Sequence, residues 1–119
     1  LVIHSNHAQE IDISVRQALT RLQTSGAVLM NQAVLLRGVN DMAESLKDLS
    51  ETLFDAGVMP YYLHQLDRVV GAQHFQISDE KAIKLVEQLA QILPGYLVPR
   101  LVREIPGAAS KTALNAKLL

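Results

Sequence analysis

Four apolar runs, beginning near residues 1, 28, 58 and 96, alternate with three helical stripes at a repeat of roughly 30 residues. Few folds accept that alternation. A strand followed by a helix and a second strand builds a right-handed unit with parallel strands, so the chain is expected to form a parallel α/β sheet. The runs are Leu1 to His4, Val28 to Leu36, Val58 to Leu66 and Tyr96 to Val102. Between them, Val15, Leu19 and Leu22 mark a helix from about Asp12 to Thr24, with Asp12 or Ser14 as its cap and Gly26 at its end. Met42, Leu46, Leu49 and Leu53 mark a second helix, with Asn40 or Asp41 as N-cap and Gly57 as terminus. Ser78 caps a third, carrying Ala82, Val86, Leu89 and Leu93 and stopped by Pro94-Gly95.

Composition narrows what such a sheet can do. With 119 residues of which 49% are apolar, the chain has material for one core, and Leu, Val, Ile and Ala must build it because only 4% of residues are aromatic. A net charge of -1 and the absence of a basic run argue against a nucleic-acid partner. Cysteine is missing altogether, so disulfides, thiolate zinc sites and iron–sulfur ligands cannot come from this chain. Charged residues interrupt every apolar run well short of about 18 residues, which excludes a spanning helix and makes the cytoplasm the expected location. The opening Leu1-Val2-Ile3 starts inside a strand, as expected of a fragment.

Ligands of parallel α/β sheets meet the carboxyl ends of strands, and His4, Arg37, Asp67 and Glu104 fall at or just beyond those ends. Asn31 and Gln32 interrupt a strand buried on both faces. Each must satisfy backbone groups in the core or face a ligand in a barrel interior. His4 and His7 have loosely metal-like spacing without a third ligand nearby, and a histidine bonded to a neighbouring loop is the plainer reading. Arg37 can hold an anion at a helix N-terminus or simply pair with an acid. The connection through Arg68, Gly71, His74 and Phe75 is long for a simple loop. From Gly95 to Lys111 a strand leads to Glu104, then to the small-residue turn Pro106-Gly107-Ala108-Ala109-Ser110, then to Lys111. Small side chains let backbone N–H groups approach an anion, and a desolvated lysine beyond such a cradle can form a Schiff base with a carbonyl cofactor. The plainer reading is a solvated lysine after a surface turn.

The segments His4-Ser5-Asn6-His7, Asn31 to Asp41, Pro60-Tyr61-Tyr62 and Gly95 to Lys111, taken in order, resemble the second half of the lysine 2,3-aminomutase family of radical S-adenosylmethionine enzymes. The branch most similar is the one that makes β-lysine for elongation factor P. The resemblance implies a partial TIM-type barrel over residues 1–111, a pyridoxal phosphate segment at 95–111 and a tail at 112–119. It implies an isomerase that converts α-lysine to β-lysine, using pyridoxal phosphate, S-adenosylmethionine and a 4Fe-4S cluster whose ligands lie outside this chain. By the same resemblance, Lys111 holds pyridoxal phosphate and Gly107 to Ser110 help seat it, with Gly107 and Ser110 as contacts. Asp67 and Glu104 grip the ammonium groups of L-lysine, and His4 and Gln32 line the S-adenosylmethionine site. A homo-oligomer is expected, and the chain by itself is expected to be inactive and to self-associate through its cut strand edge.

The chain departs from the free-lysine enzymes at three places. Glu104 replaces an aspartate, Gly107-Ala108-Ala109-Ser110 replaces a run of glycines, and His64 stands where those enzymes have a tyrosine. The first two changes suit the elongation factor branch. Two other functions remain open on the residues alone. One is a non-catalytic βα module that binds a small anion or a protein partner, and the other is a pyridoxal phosphate enzyme using polar chemistry with Lys111 as anchor and base.

Overall fold

A computed structural model describes residues 1–65 and 76–103, together with the backbone of Thr112–Ala113. Strands β1 (Val2–Ile3), β2 (Leu29–Leu35), β3 (Val58–Gln65), β4 (Arg100–Arg103) and β5 (Thr112–Ala113) form one sheet in chain order. The first four are parallel and β5 is antiparallel to β4. Helices α1 (Ile13–Thr24), α2 (Ala43–Asp55) and α3 (Asp79–Ile92) occupy the three crossovers. The expected α/β fold of parallel βα repeats is therefore the observed one.

Alternation along the strands decides what each face carries. Leu29, Ala33, Leu35, Val58, Leu63 and Leu101 point to one side and join Leu19 of α1, Leu46, Leu49 and Leu53 of α2, and Ala82, Leu85, Val86 and Leu89 of α3 in one core. All three helices thus cover the same face. A doubly wound sheet would place helices on both sides, whereas strands in chain order with helices on one side make a segment of a TIM-type barrel wall. The second face, which carries Met30, Gln32, Val34, Tyr62 and His64, is the one such a barrel encloses.

Pro60 sets which side chains reach that second face. It has no N–H to give the ladder, and the register slips there: Asn31 pairs with Pro60 but Gln32 pairs with Tyr62, leaving Tyr61 as the extra residue of a bulge. Leu63 and Gln65 consequently turn toward the helices. Tyr62 and His64 turn toward Gln32 and Val34.

Several boundaries differ from the sequence expectations. Asp12 caps α1 and Ser78 caps α3 as expected, through bonds from the backbone N–H groups of Val15 and Lys81. Neither Asn40 nor Asp41 caps α2; its N-cap is Met42, which makes no side-chain cap bond and is 63% exposed. The strand expected from Tyr96 begins only at Arg100, because the chain after Pro94 makes a 3-10 turn, Gly95–Leu97, that leaves Tyr96 exposed. Leu22 completes the α1 stripe in sequence but lies largely outside the core. β5 was not expected at all. Gly57, with φ +83, makes the left-handed turn from α2 to β3, a conformation that side chains with a Cβ rarely adopt.

Candidate functional site at the strand carboxyl ends

Asn31 and Gln32 adopt the two alternatives that the sequence left open, one each, because neighbours on a strand face opposite ways. Asn31 is 2% exposed on the helix side, where its Oδ1 accepts from the Ser5 N–H at 2.9 Å and its Nδ2 donates to the Ser5 carbonyl at 3.1 Å. Gln32 lies on the opposite face, with its Oε1 3.2 Å from His64 Nε2. The His64 ring in turn meets Tyr62 edge-on, their centroids 5.9 Å apart. His4 follows Ile3, which pairs with Asn31, so the register continued by one residue sets His4 level with Gln32. His4, the first residue after β1, thus follows directly on the partner of Asn31, the neighbour of Gln32. His64 is the residue that sequence reasoning left without a role there, and the signal for it was Pro60.

Side chains extend the ladder where β1 ends. Asn6 Oδ1 accepts from the Val34 N–H at 2.9 Å, filling the place a longer β1 would take. Asn40, fully buried, donates through Nδ2 to the carbonyls of Asn6 at 2.8 Å and Val34 at 2.9 Å, and its Oδ1 accepts from the Leu36 N–H at 2.8 Å. This network fixes the turn that follows His4 to the end of β2. Asn40→Ala strips out a donor and an acceptor that buried backbone groups require, and the expected loss of stability is about 1–3 kcal/mol, read from urea unfolding. His7 is engaged locally, its Nδ1 accepting from the Gln9 N–H at 3.1 Å as the cap of a short 3-10 turn. Arg37 is exposed on the loop after β2.

Asp67, Glu104, Gly107, Ser110 and Lys111 lie outside the described residues. The residues that flank the segment from Glu104 to Lys111 are described. Arg103, just before Glu104, pairs with Thr112, just after Lys111. These two flanking residues therefore pair at the carboxyl end of β4, whereas Gln32 lies level with Tyr62 and with Arg100, the first residue of that strand.

The described side chains that meet on this face are polar and aromatic. The amide, imidazole and phenol of Gln32, His64 and Tyr62 offer donors, acceptors and ring faces, and no group of three or more His, Cys, Asp or Glu side chains among the described residues can hold a metal ion. With no cysteine in the chain, thiolate ligands for an iron–sulfur cluster are not among its residues. Among the described residues, no helix is long and apolar enough to cross a membrane.

Parallel strands in chain order, helices on one face and polar side chains gathered on the other define a segment of a βα barrel wall. No family model matches the chain. It is 55% identical over 118 residues to the L-lysine 2,3-aminomutase of Escherichia coli K12, covering 99% of this chain and 34% of that protein. It is 50% identical over 112 residues to the Haemophilus influenzae protein of the same name, covering 94% of this chain and 33% of that one. The L-lysine 2,3-aminomutase of Clostridium subterminale is 40% identical over 109 residues, 92% of this chain and 26% of that protein. The chain belongs to the lysine 2,3-aminomutase family, and it spans about a third of the length of the first two of these relatives.

Proposed function

We propose that this chain is the C-terminal portion of an isomerase that moves the amino group of L-lysine between adjacent carbons to give β-lysine. The observation that supports the reading is a run of parallel βα units that gathers Gln32, Tyr62 and His64 on the face away from the helices, within a chain 55% identical over 118 residues to an L-lysine 2,3-aminomutase. In this reading Lys111 holds pyridoxal phosphate through its amine, and Gly107 and Ser110 meet the phosphate with backbone N–H and hydroxyl donors. Asp67 and Glu104 accept from the ammonium groups of lysine and fix its position. His4 and Gln32 line the S-adenosylmethionine site, where His64 orients the Gln32 amide so that its remaining hydrogens face the ligand. When bound, pyridoxal phosphate and S-adenosylmethionine with its 4Fe-4S cluster would supply the radical chemistry of the shift, and the cluster ligands belong to the part of the protein outside this chain. Helix packing on one face and barrel closure on the other keep bulk water from that interior.

Glu104 and the sequence Gly107-Ala108-Ala109-Ser110 support the branch that supplies β-lysine for elongation factor P. The test uses the full-length protein, anaerobically reconstituted with its cofactors and given a reductant and L-lysine. β-Lysine should appear by chromatography. Lysine recovered unchanged from protein that carries both pyridoxal phosphate and an intact cluster would overturn the proposal.

A further inference from the structure

Arg100, the first residue of β4, extends the polar face of Gln32, Tyr62 and His64 by one strand. Along β4, Leu101 joins the core beneath the helices, and Arg103 Nη2 donates to Asp79 Oδ1 at the start of α3. Arg100 and Val102 therefore face the other way. Val102 agrees with this, since it is 3% exposed yet stays out of the helix-side core. The register then builds a row across three strands: Gln32 of β2 is level with Tyr62 of β3, and Tyr62 is level with Arg100 of β4. Two strand spacings make this row about 10 Å long, short enough for one ligand to span.

A guanidinium on the inside of a barrel wall calls for an anion, because a charge taken out of water without a partner is costly. The sheet does not supply one. Among the described strand residues there is no Asp or Glu, and among the described residues Arg100 makes no ion pair. Arg100 is exposed on this face, and its neighbours along the row, the phenol of Tyr62 and the amide of Gln32, offer no negative charge. The planar fork of arginine matches a carboxylate through two parallel N–H bonds, which suits it to an anionic group brought by a ligand.

We propose that Arg100 receives the α-carboxylate of an amino acid bound on the inner face of the sheet. The inference rests on the proposed function, in which two α-amino acids, L-lysine and S-adenosylmethionine, enter this interior. Both carry the carboxylate, and their decarboxylated counterparts, cadaverine and decarboxylated S-adenosylmethionine, tell the two sources apart.

The experiment uses the full-length protein carrying its cofactors and reads binding by isothermal titration for the parent, Arg100→Met, Arg100→Lys and Lys84→Met. Arg100→Met should weaken one of the two amino acids by about tenfold or more and leave its decarboxylated counterpart within about twofold, so that the preference for the carboxylate collapses for that ligand. Arg100→Lys keeps the charge without the fork and should fall between. Lys84→Met removes the same charge from the exposed side of α3 and should change neither affinity. Unchanged affinity for both amino acids in Arg100→Met overturns the proposal, as does equal weakening of an amino acid and its decarboxylated counterpart. Unchanged affinities together with a large fall in the urea midpoint of the protein without either amino acid would assign Arg100 to an acid of the protein instead. A parent that binds both amino acids without forming β-lysine overturns the proposed reaction, and the same titrations still decide the carboxylate contact; a parent that binds neither overturns both.

Discussion

Lys111→Ala in the full-length protein should leave no covalently held pyridoxal phosphate and no lysine turnover. Borohydride reduction of the parent, followed by peptide mapping, should place the cofactor on Lys111 alone. Three other lysines fall among the described residues, and their positions explain why none can substitute. Lys47 on α2 lies 3.7 Å from Glu51, Lys81 on α3 lies 3.4 Å from Asp41, and Lys84 is exposed on α3. All three belong to helices that cover the face of the sheet away from Gln32 and His64. A carbonyl cofactor captured there would sit on the helix side of the barrel wall, apart from the residues proposed to grip the substrate. Lys111 differs because Thr112, the next residue, pairs with Arg103 at the rim. A tag on any other lysine, or an Ala variant that keeps the visible absorbance of the bound cofactor, would remove Lys111 from the role. A mere loss of fold is distinguished by the urea midpoint, which should stay near that of the parent.

The repeat of strands and helices was legible because it depends on local periodicity, and each parallel pairing followed from it. What escaped the sequence depended on register, which no single segment encodes. Asn31 and Gln32 looked alike as two amides in an apolar strand, yet alternation sends one to the Ser5 backbone and the other to His64. His64 reaches Gln32 only because Pro60 cannot donate to the ladder and Tyr61 is squeezed into a bulge. Without the slip, the alternation would turn His64 toward α2 and Leu63 away from the core. Asn40 fits the pattern of a helix cap, but three backbone groups from β2 and the turn after His4 compete for its amide more effectively than the first turn of α2. The roles of the site residues were all read by resemblance. Parallel pairing sets the end of β1 beside Asn31, the neighbour of Gln32, whereas Asp67, Glu104, Gly107, Ser110 and Lys111 lie outside the described residues.

Asp67→Asn and Glu104→Gln should each weaken lysine binding by about 1.5–3 kcal/mol, the range for hydrogen bonds to a charged group. That is roughly tenfold to a hundredfold in the lysine requirement, at 1.4 kcal/mol for each factor of ten. Both replacements keep shape and one acceptor oxygen, so the expected loss is that of charge: an ammonium that stays bound but meets a neutral amide in a site with little water to screen or replace the missing carboxylate. Isothermal titration with lysine separates this from chemistry, since it reads affinity before turnover. Glu104→Asp is the sharper companion. It keeps the charge but withdraws the carboxylate by one methylene, to the length found in the free-lysine enzymes, and should cost less than Glu104→Gln if charge dominates and as much if reach does. The double variant reports geometry as well. Two acids holding separate ammonium groups should lose affinity additively, whereas two holding one ammonium should be coupled, because the first loss already loosens what the second would have held. Saturation curves for lysine that do not move in either single variant would make both acids part of the barrel's frame and leave the substrate's ammonium groups to residues elsewhere in the protein.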